Sequence, residues 1–262
     1  MNALTASLRI IAFSIIVSVS VTNTNAEEAP FPGNKVNWRG FDMYQDKGTR
    51  VIVPKKVAVG KPWVWRARFF GHEPQFDHAM LDRGYHVVYC EVGGLYGAPE
   101  AVERWNQFYD DLHKKHGFAE KVILEGMSRG GLIIYNWAAA NPEKVAAIYG
   151  DAPVMDFKSW PGHTNAGILT SYGFKDGDEA KAYKLNPIDN LAPLAKAKIP
   201  IIHVVGDRDK VVPVSENTGI AEKRYKEMGG IFEVIHKDVG HHPHSLKDPQ
   251  PLVDFMLKHT QK

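Results

Sequence analysis

Residues 121–140 read KVILEGMSRGGLIIYNWAAA. The opening KVILEG is an apolar, β-favouring run, and residues 131–140 carry a helical pattern stopped by Asn141 and Pro142. Between them stands Gly126-Met127-Ser128-Arg129-Gly130, a G-x-S-x-G step from strand to helix. A serine on so sharp a turn takes a strained backbone, and neighbours without side chains let the chain turn that tightly. Its hydroxyl then stands clear at the carboxyl end of a sheet, where doubly wound folds hold ligands. The helix start behind it offers a positive dipole end and the N–H of Arg129 to a developing oxyanion. The competing reading is a glycine-rich turn without chemistry.

Outward from this segment, short apolar runs alternate with amphipathic stretches. Strands are expected at residues 49–53 (TRVIV), 63–70 (WVWRARFF), 85–92 (YHVVYCEV), 145–149, 199–205 (IPIIHVV) and 232–235 (FEVI). Val102, Trp105, Phe108 or Tyr109, and Leu112 recur at helical spacing between Pro99 and Gly117, and residues 252–259 form a closing helix. Strand alternating with helix implies an α/β class, a mostly parallel central sheet with helices on both faces. Residues 154–190 break the alternation with Gly, Pro, Ser and scattered aromatics, as expected of a small lid insertion. No linker divides residues 27–262, which read as one domain.

A serine hydroxyl needs a base to take its proton and an acid to orient that base. Both lie downstream, each just after an expected strand. IIHVV runs into Gly206-Asp207-Arg208-Asp209-Lys210-Val211-Val212-Pro213, and FEVI is followed by Gly240-His241-His242-Pro243-His244. From spacing alone Asp207 and Asp209 both qualify as the acid, and His241 is favoured over His242 as the base.

With these three motifs the chain resembles the α/β-hydrolase superfamily of serine hydrolases, over nearly all of residues 27–262 in element order. The resemblance implies the α/β-hydrolase fold and the chain order Ser, Asp, His. Its G-x-x-D-x-x-V-P pattern falls on Gly206, Asp209, Val212 and Pro213, and its G-H step on Gly240-His241. Ser128, Asp209 and His241 are therefore the implied triad. Residues 69–74 (FFGHEP), 159–162 (SWPG) and the HHPHS segment look like a group of exported hydrolases related to carbohydrate esterases and prolyl-oligopeptidase-like proteins. Ser128-Arg129 is also similar to the glucuronoyl esterases, whose specificity is not carried over.

The second oxyanion donor is expected in the loop after WVWRARFF, at Phe70 or Gly71. Arg129 either contacts substrate or pairs with a carboxylate such as Glu125. Tyr96 and Trp160 are candidate walls of a substrate cleft, while Trp63, Trp65, Trp105 and Trp137 fall on core faces. No cofactor is expected: G-M-S-R-G-G contains no dinucleotide fingerprint. The His-rich tract at 236–244 lacks H-E-x-x-H, and Pro243 interrupts any helical display of ligands, so no metal is expected.

A net charge of +2, from 32 basic and 30 acidic residues, gives no reason to expect nucleic acid. Arg9, the apolar run 10–21 and the small residues ending at Ala26 have the order of a secretory signal peptide cleaved after residue 26. That implies an exported, periplasmic or extracellular protein with no stable membrane insertion after cleavage. Cys90 is alone, so no disulfide lies within the chain, and its apolar setting suits a buried thiol. The expected activity is hydrolysis of a small-molecule or carbohydrate ester through an acyl-enzyme. A prolyl-oligopeptidase-like peptidase and a non-catalytic carbohydrate-binding protein are the alternatives. The sequence is silent on oligomeric state.

Overall fold

The protein is described here by a computed structural model covering residues 31–260. The signal segment read at residues 1–26 lies outside the described residues. The elements run β1 (Asn34–Trp38), β2 (Phe41–Asp46), β3 (Thr49–Val53), β4 (Trp63–Ala67), α1 (Gln75–Leu81), β5 (His86–Cys90), α2 (Pro99–Asp110), β6 (Val122–Met127), α3 (Gly130–Ala140) and β7 (Val145–Asp151). They continue with α4 (Ala166–Tyr172), α5 (Gly177–Ala182), α6 (Ala192–Lys196), β8 (Ile201–Gly206), α7 (Thr218–Glu227), β9 (Phe232–Lys237) and α8 (Gln250–Thr260).

Among the described residues the strands form one sheet in the order β1-β2-β3-β5-β4-β6-β7-β8-β9. The first three pair antiparallel, and β3 joins β5 antiparallel; from β5 to β9 every pair is parallel. The chain leaves β5 and β4 on one side and builds β6 to β9 on the other. The strand order therefore reverses beside β6, the place where open α/β sheets bind ligands. The registers Met127↔Asp151, Asp151↔Val204 and Gly206↔Lys237 bring the carboxyl ends of β6 to β9 to one edge.

Helices cover both faces. In β6, Val122 and Leu124 pack toward one face with Trp105 of α2 and Ile134 of α3, while Ile123 packs toward the other with Phe76 of α1 and Met256 of α8. Trp63, Trp65, Trp105 and Trp137 are all buried, and the Trp65 and Trp105 rings stack with centroids 4.0 Å apart. Cys90 is buried, and desolvation raises its thiol to about 12.

Two sequence expectations change. The antiparallel pair β1 and β2 was not foreseen: its residues are largely exposed or half-buried, so the apolar signal is weak. Its hairpin is set by left-handed Arg39 and Gly40 instead (φ 50° and 90°). The strand expected to reach Phe70 ends at Ala67, because Arg68 and Phe69 take left-handed φ of 65° and 48°. The expected insertion at 154–190 is present as α4, α5 and the loops around them. It closes a third apolar cluster of Leu132, Val154, Phe157, Ile168, Ala180 and Val212 over the start of α3. Asn217 and Asn186 anchor it by accepting the amides of Met155 (2.8 Å) and Phe157 (3.1 Å). No helix among the described residues is long and apolar enough to cross a membrane.

Two of the buried histidines stand in the strands themselves. His203 of β8 contacts the Tyr135 hydroxyl at 2.6 Å and Thr218 Oγ1 at 2.9 Å, and burial lowers it to about 3. Burial, with Lys61 nearby, lowers His86 to about 4. Below pH of about 6.5 the unfolded chain takes up protons that these two rings refuse, so stability falls with falling pH. Between pH 7 and 5 the expected loss is on the order of 1–2 kcal/mol per ring, read as a lower denaturant midpoint. His86→Phe should make that decline shallower; a wild-type midpoint equal at both pH values would contradict the assignment.

Candidate active site

Ser128 is the first residue beyond β6 and takes a left-handed φ of 50°. That strain is held from both sides: its N–H donates to the Asp151 carbonyl at 2.8 Å, and its carbonyl accepts the amides of Gly131 and Val154, both at 2.9 Å. The flanking glycines are required by space. A Cβ on Gly130 would lie 2.6 Å from the Ala67 carbonyl oxygen, and one on Gly131 would lie 2.5 Å from that of Val154.

Ser128 Oγ lies 3.0 Å from His241 Nε2, and His241 Nδ1 lies 2.6 Å from Asp209 Oδ2. A carboxylate only accepts, so Nδ1 carries the proton and Nε2 is free to accept from the serine hydroxyl. The other oxygen of Asp209 accepts the amides of Val211 and Val212 at 2.8 and 2.9 Å, which fixes the carboxylate. Gly206 lets the two loops meet, since a Cβ there would stand 2.1 Å from the Gly240 carbonyl oxygen. Of the two aspartates left open by spacing, Asp207 faces outward and pairs with His236 in an exposed contact at 2.6 Å. His242 is exposed, whereas the His241 side chain is 9% exposed.

A cavity of about 450 Å³ opens over the serine, lined by Phe69, Phe70, Met127 and, on its other wall, His72, His242 and His244. Phe70 stands at this cavity as expected. Gly71 does not: it lines a neighbouring groove with Arg39 and His78, and Phe69 takes its place beside the serine. Among the described residues the amides of Arg129, Phe69 and Phe70 have no backbone acceptor, which leaves them available to an oxyanion. Arg129 does not pair with Glu125, which lies buried in a contact with Arg66 at 3.0 Å. Its guanidinium instead lies against the rings of Tyr96 (5.6 Å) and Phe69 (6.0 Å). Tyr96 is thereby at the site's edge. Trp160 packs against the apolar cluster of the insertion and is not among the residues lining the cavity over Ser128.

One functional group escaped the sequence reading. His244 is buried and places Nδ1 2.8 Å from Asp151 Oδ1 at the end of β7. Burial alone would raise the Asp151 carboxyl. Hydrogen bonds from His244, the Tyr149 hydroxyl (2.7 Å) and the Ser245 amide hold it below the usual range instead. An aspartate closing the otherwise apolar strand AAIYGD is the only signal the sequence offers for it.

The sequence model of the prolyl oligopeptidase family matches residues 74–262, and thus covers Ser128, Asp209 and His241. The chain belongs to the prolyl oligopeptidase family. It is a serine hydrolase of that family, on the α/β-hydrolase fold. Among solved structures it is similar to the acylaminoacyl peptidase of Pyrococcus horikoshii, with 15% identity and a TM-score of 0.62, covering 88% of this chain and 42% of that one. It is likewise similar to dipeptidyl peptidase 4 of Porphyromonas gingivalis, with 13% identity, a TM-score of 0.62 and coverage of 86% and 35%. A puromycin-hydrolyzing peptidase of Mycobacterium tuberculosis gives 14% identity, a TM-score of 0.59 and coverage of 85% and 38%. The chain thus spans about two fifths of the length of these structures. No curated protein matches the sequence.

The close approach at Gly206 carries a prediction. Gly206→Ala must push Gly240, next to His241, out of register, so activity should fall while stability drops by about 1–3 kcal/mol. Gly94, with open space around its Cα, is the control: Gly94→Ala should stay within about 0.5 kcal/mol of wild type in denaturant titration.

Proposed function

We propose that this protein is a peptidase-type serine hydrolase that cleaves an amide bond through an acyl-enzyme on Ser128. The observation that carries the reading is the relay of 3.0 Å from Ser128 to His241 and 2.6 Å from His241 to Asp209. His241 Nε2 takes the hydroxyl proton as Oγ attacks the carbonyl carbon, then delivers it to the departing amine. Asp209 holds the ring in the tautomer this needs and stabilises the imidazolium. The amide of Arg129, with one from Phe69 or Phe70, takes the oxyanion. Water then repeats the sequence on the acyl-enzyme.

The choice of an amide over an ester rests on family membership and on the names of the similar structures, all of which are peptidases. This departs from the ester expected from the sequence. Both bonds pass through a tetrahedral intermediate of the same kind, differing in the leaving alcohol or amine, so the triad suits either one. The cavity supports a small acyl portion: its volume is at the low end of ligand pockets, and Phe69, Phe70 and Met127 give it an apolar wall. Arg129 and Tyr96 at its rim are proposed to bind the substrate beyond the scissile bond. Export is proposed on the strength of the segment before residue 27, and amino-terminal sequencing of the protein made in its host reads it directly.

Wild type should bind a fluorophosphonate probe, while Ser128→Ala and His241→Ala should not. Against aminoacyl, dipeptidyl and N-acylaminoacyl p-nitroanilides, Ser128→Ala should lose activity by about 10³-fold or more, and Asp209→Asn by about 10²- to 10⁴-fold. Asp207→Asn should match wild type. Turnover of p-nitrophenyl and carbohydrate acetyl esters with no anilide cleaved would return the assignment to an esterase. A folded protein that takes no probe would remove catalysis altogether.

A further inference from the structure

The cavity over Ser128 has one wall made of imidazoles. His241, His242 and His244 each present a ring nitrogen within 4.8 Å of the others. The centroids of His242 and His244, and of His241 and His244, are 4.7 Å apart. His72 stands beside this group, 6.0 Å from His244 and 6.4 Å from His242. The substrate chemistry argued above uses only one of these rings.

Two of the three are held as metal-ligating histidines are usually held. His241 Nδ1 is bound by Asp209 and His244 Nδ1 by Asp151, at 2.6 and 2.8 Å. A carboxylate behind a ring fixes its tautomer, leaves Nε2 as the donor and raises its basicity. The pair of carboxylates also gives the group two negative charges against which a dication is balanced. The third ring, His242, is exposed and has no hydrogen-bond partner among the described residues, so it is free to turn. Tetrahedral Zn–N bonds of about 2.0–2.1 Å need ligand nitrogens about 3.3 Å apart, so the three nitrogens must draw together by up to about 1.5 Å, and His242 is the ring with no hydrogen bond to break in doing so. The interruption by Pro243, which removed a helical display, is no obstacle to ligands brought together by a loop against the sheet edge.

We propose that His241, His242 and His244 form a binding site for a divalent d-block cation, of which Zn²⁺ is the type, and that its occupancy shuts off the nucleophile. Imidazole nitrogens suit this class of ion. The cation takes the lone pair of His241 Nε2, the same pair that accepts the Ser128 proton, so metal and catalysis exclude each other. The inhibitory part of this proposal rests on the reading of Ser128 and His241 given above; the binding part does not.

The test uses the full chain without a histidine tag. Equilibrium dialysis against Zn²⁺, and the visible absorption of Co²⁺, should show one tightly bound ion in wild type and in Ser128→Ala. His242→Ala, a change at an exposed ring, and Asp151→Asn should each weaken binding by about 10-fold or more. Affinity unchanged in His242→Ala, or no uptake at millimolar Zn²⁺, would overturn the site. Saturating Zn²⁺ should slow fluorophosphonate labelling of wild type, EDTA should restore it, and His242→Ala should label at higher Zn²⁺ than wild type. Labelling at full rate on the Zn²⁺-loaded protein would overturn the shared use of His241. Were the metal-free protein not labelled at all, the hydrolase reading would fall, and the uptake measurements would still decide the site.

Discussion

The guanidinium of Arg66 is the point on which the active-site edge of this sheet depends. It is 1% exposed at the end of β4, beside Asp77 of α1 and 3.0 Å from Glu125 of β6, and both carboxyl groups are as deeply buried. Its other nitrogen donates to the carbonyls of Phe69 and His72. Burial opposes the charge, but Asp77 and Glu125 outweigh it and raise the arginine above its ordinary value. The two acids cannot both be anions there. Burial, reinforced by Asp77, pushes Glu125 well above the carboxylate range, so it keeps its proton. A protonated Glu125 donating to Asp77 also supplies partners for Asp77 Oδ1 and Glu125 Oε2, two buried oxygens with no other donor among the described residues. Taking such charges out of water costs several kcal/mol for each ion, and good geometry only offsets that. What the arrangement contributes is position. One planar fork fixes α1, the strand that ends at Ser128, and the loop that brings Phe69 and Phe70 over the serine.

From that anchor the rest of the site follows by sheet geometry. Parallel strands in register carry their loops to one edge, so residues separated by 113 positions, Ser128 and His241, meet without any contact between their parent strands. Fine adjustment comes from glycines. Gly130 and Gly131 let α3 start against β4 and the insertion, and Gly206 lets the aspartate loop touch the histidine loop. Each is a place where backbone meets backbone, so the accuracy of the triad is set by absent side chains as much as by present ones.

The same contrast explains what the sequence disclosed. GMSRGG, GDRDKVVP and VGHHPH were readable because their residue types answer to local geometry: a left-handed serine, a capped turn, a histidine just past a strand. Their setting at strand ends was readable because strands buried on both faces are unbroken apolar runs. Arg66 looked like one residue of an alternating strand, and only the fold reveals that it faces two acids, one 59 positions away. The contact between Asp151 and His244 spans 93 positions, and an aspartate at the end of an apolar strand does not say which residue meets it. The strand ending at Ala67 was overrun in the reading because WVWRARFF keeps its β-favouring composition through Phe70. The turn at Arg68 and Phe69 rests on left-handed backbone at two non-glycine residues, with Arg66 donating to the Phe69 carbonyl, and neither shows in the composition.

Two carboxylate–imidazole pairs therefore stand side by side in this site, and chemistry alone does not distinguish them. His241–Asp209 and His244–Asp151 have nearly equal lengths, 2.6 and 2.8 Å, and in each Nδ1 meets a carboxylate oxygen. Position separates their roles. Asp209 sits on a loop and holds its ring against Ser128 Oγ, whereas Asp151 ends a strand, lies fully buried and is tied by Tyr149 and Ser245 as well as His244. The first pair can accept a proton from the nucleophile; the second is locked to the end of β7, where the Tyr149 hydroxyl donates to the same carboxylate. A base that serves the serine must trade protons with each turnover, so it belongs on the loop. A ring that shapes the cavity must not move, so His244, though it stands on the same loop as His241, is tied to the end of β7 through Asp151.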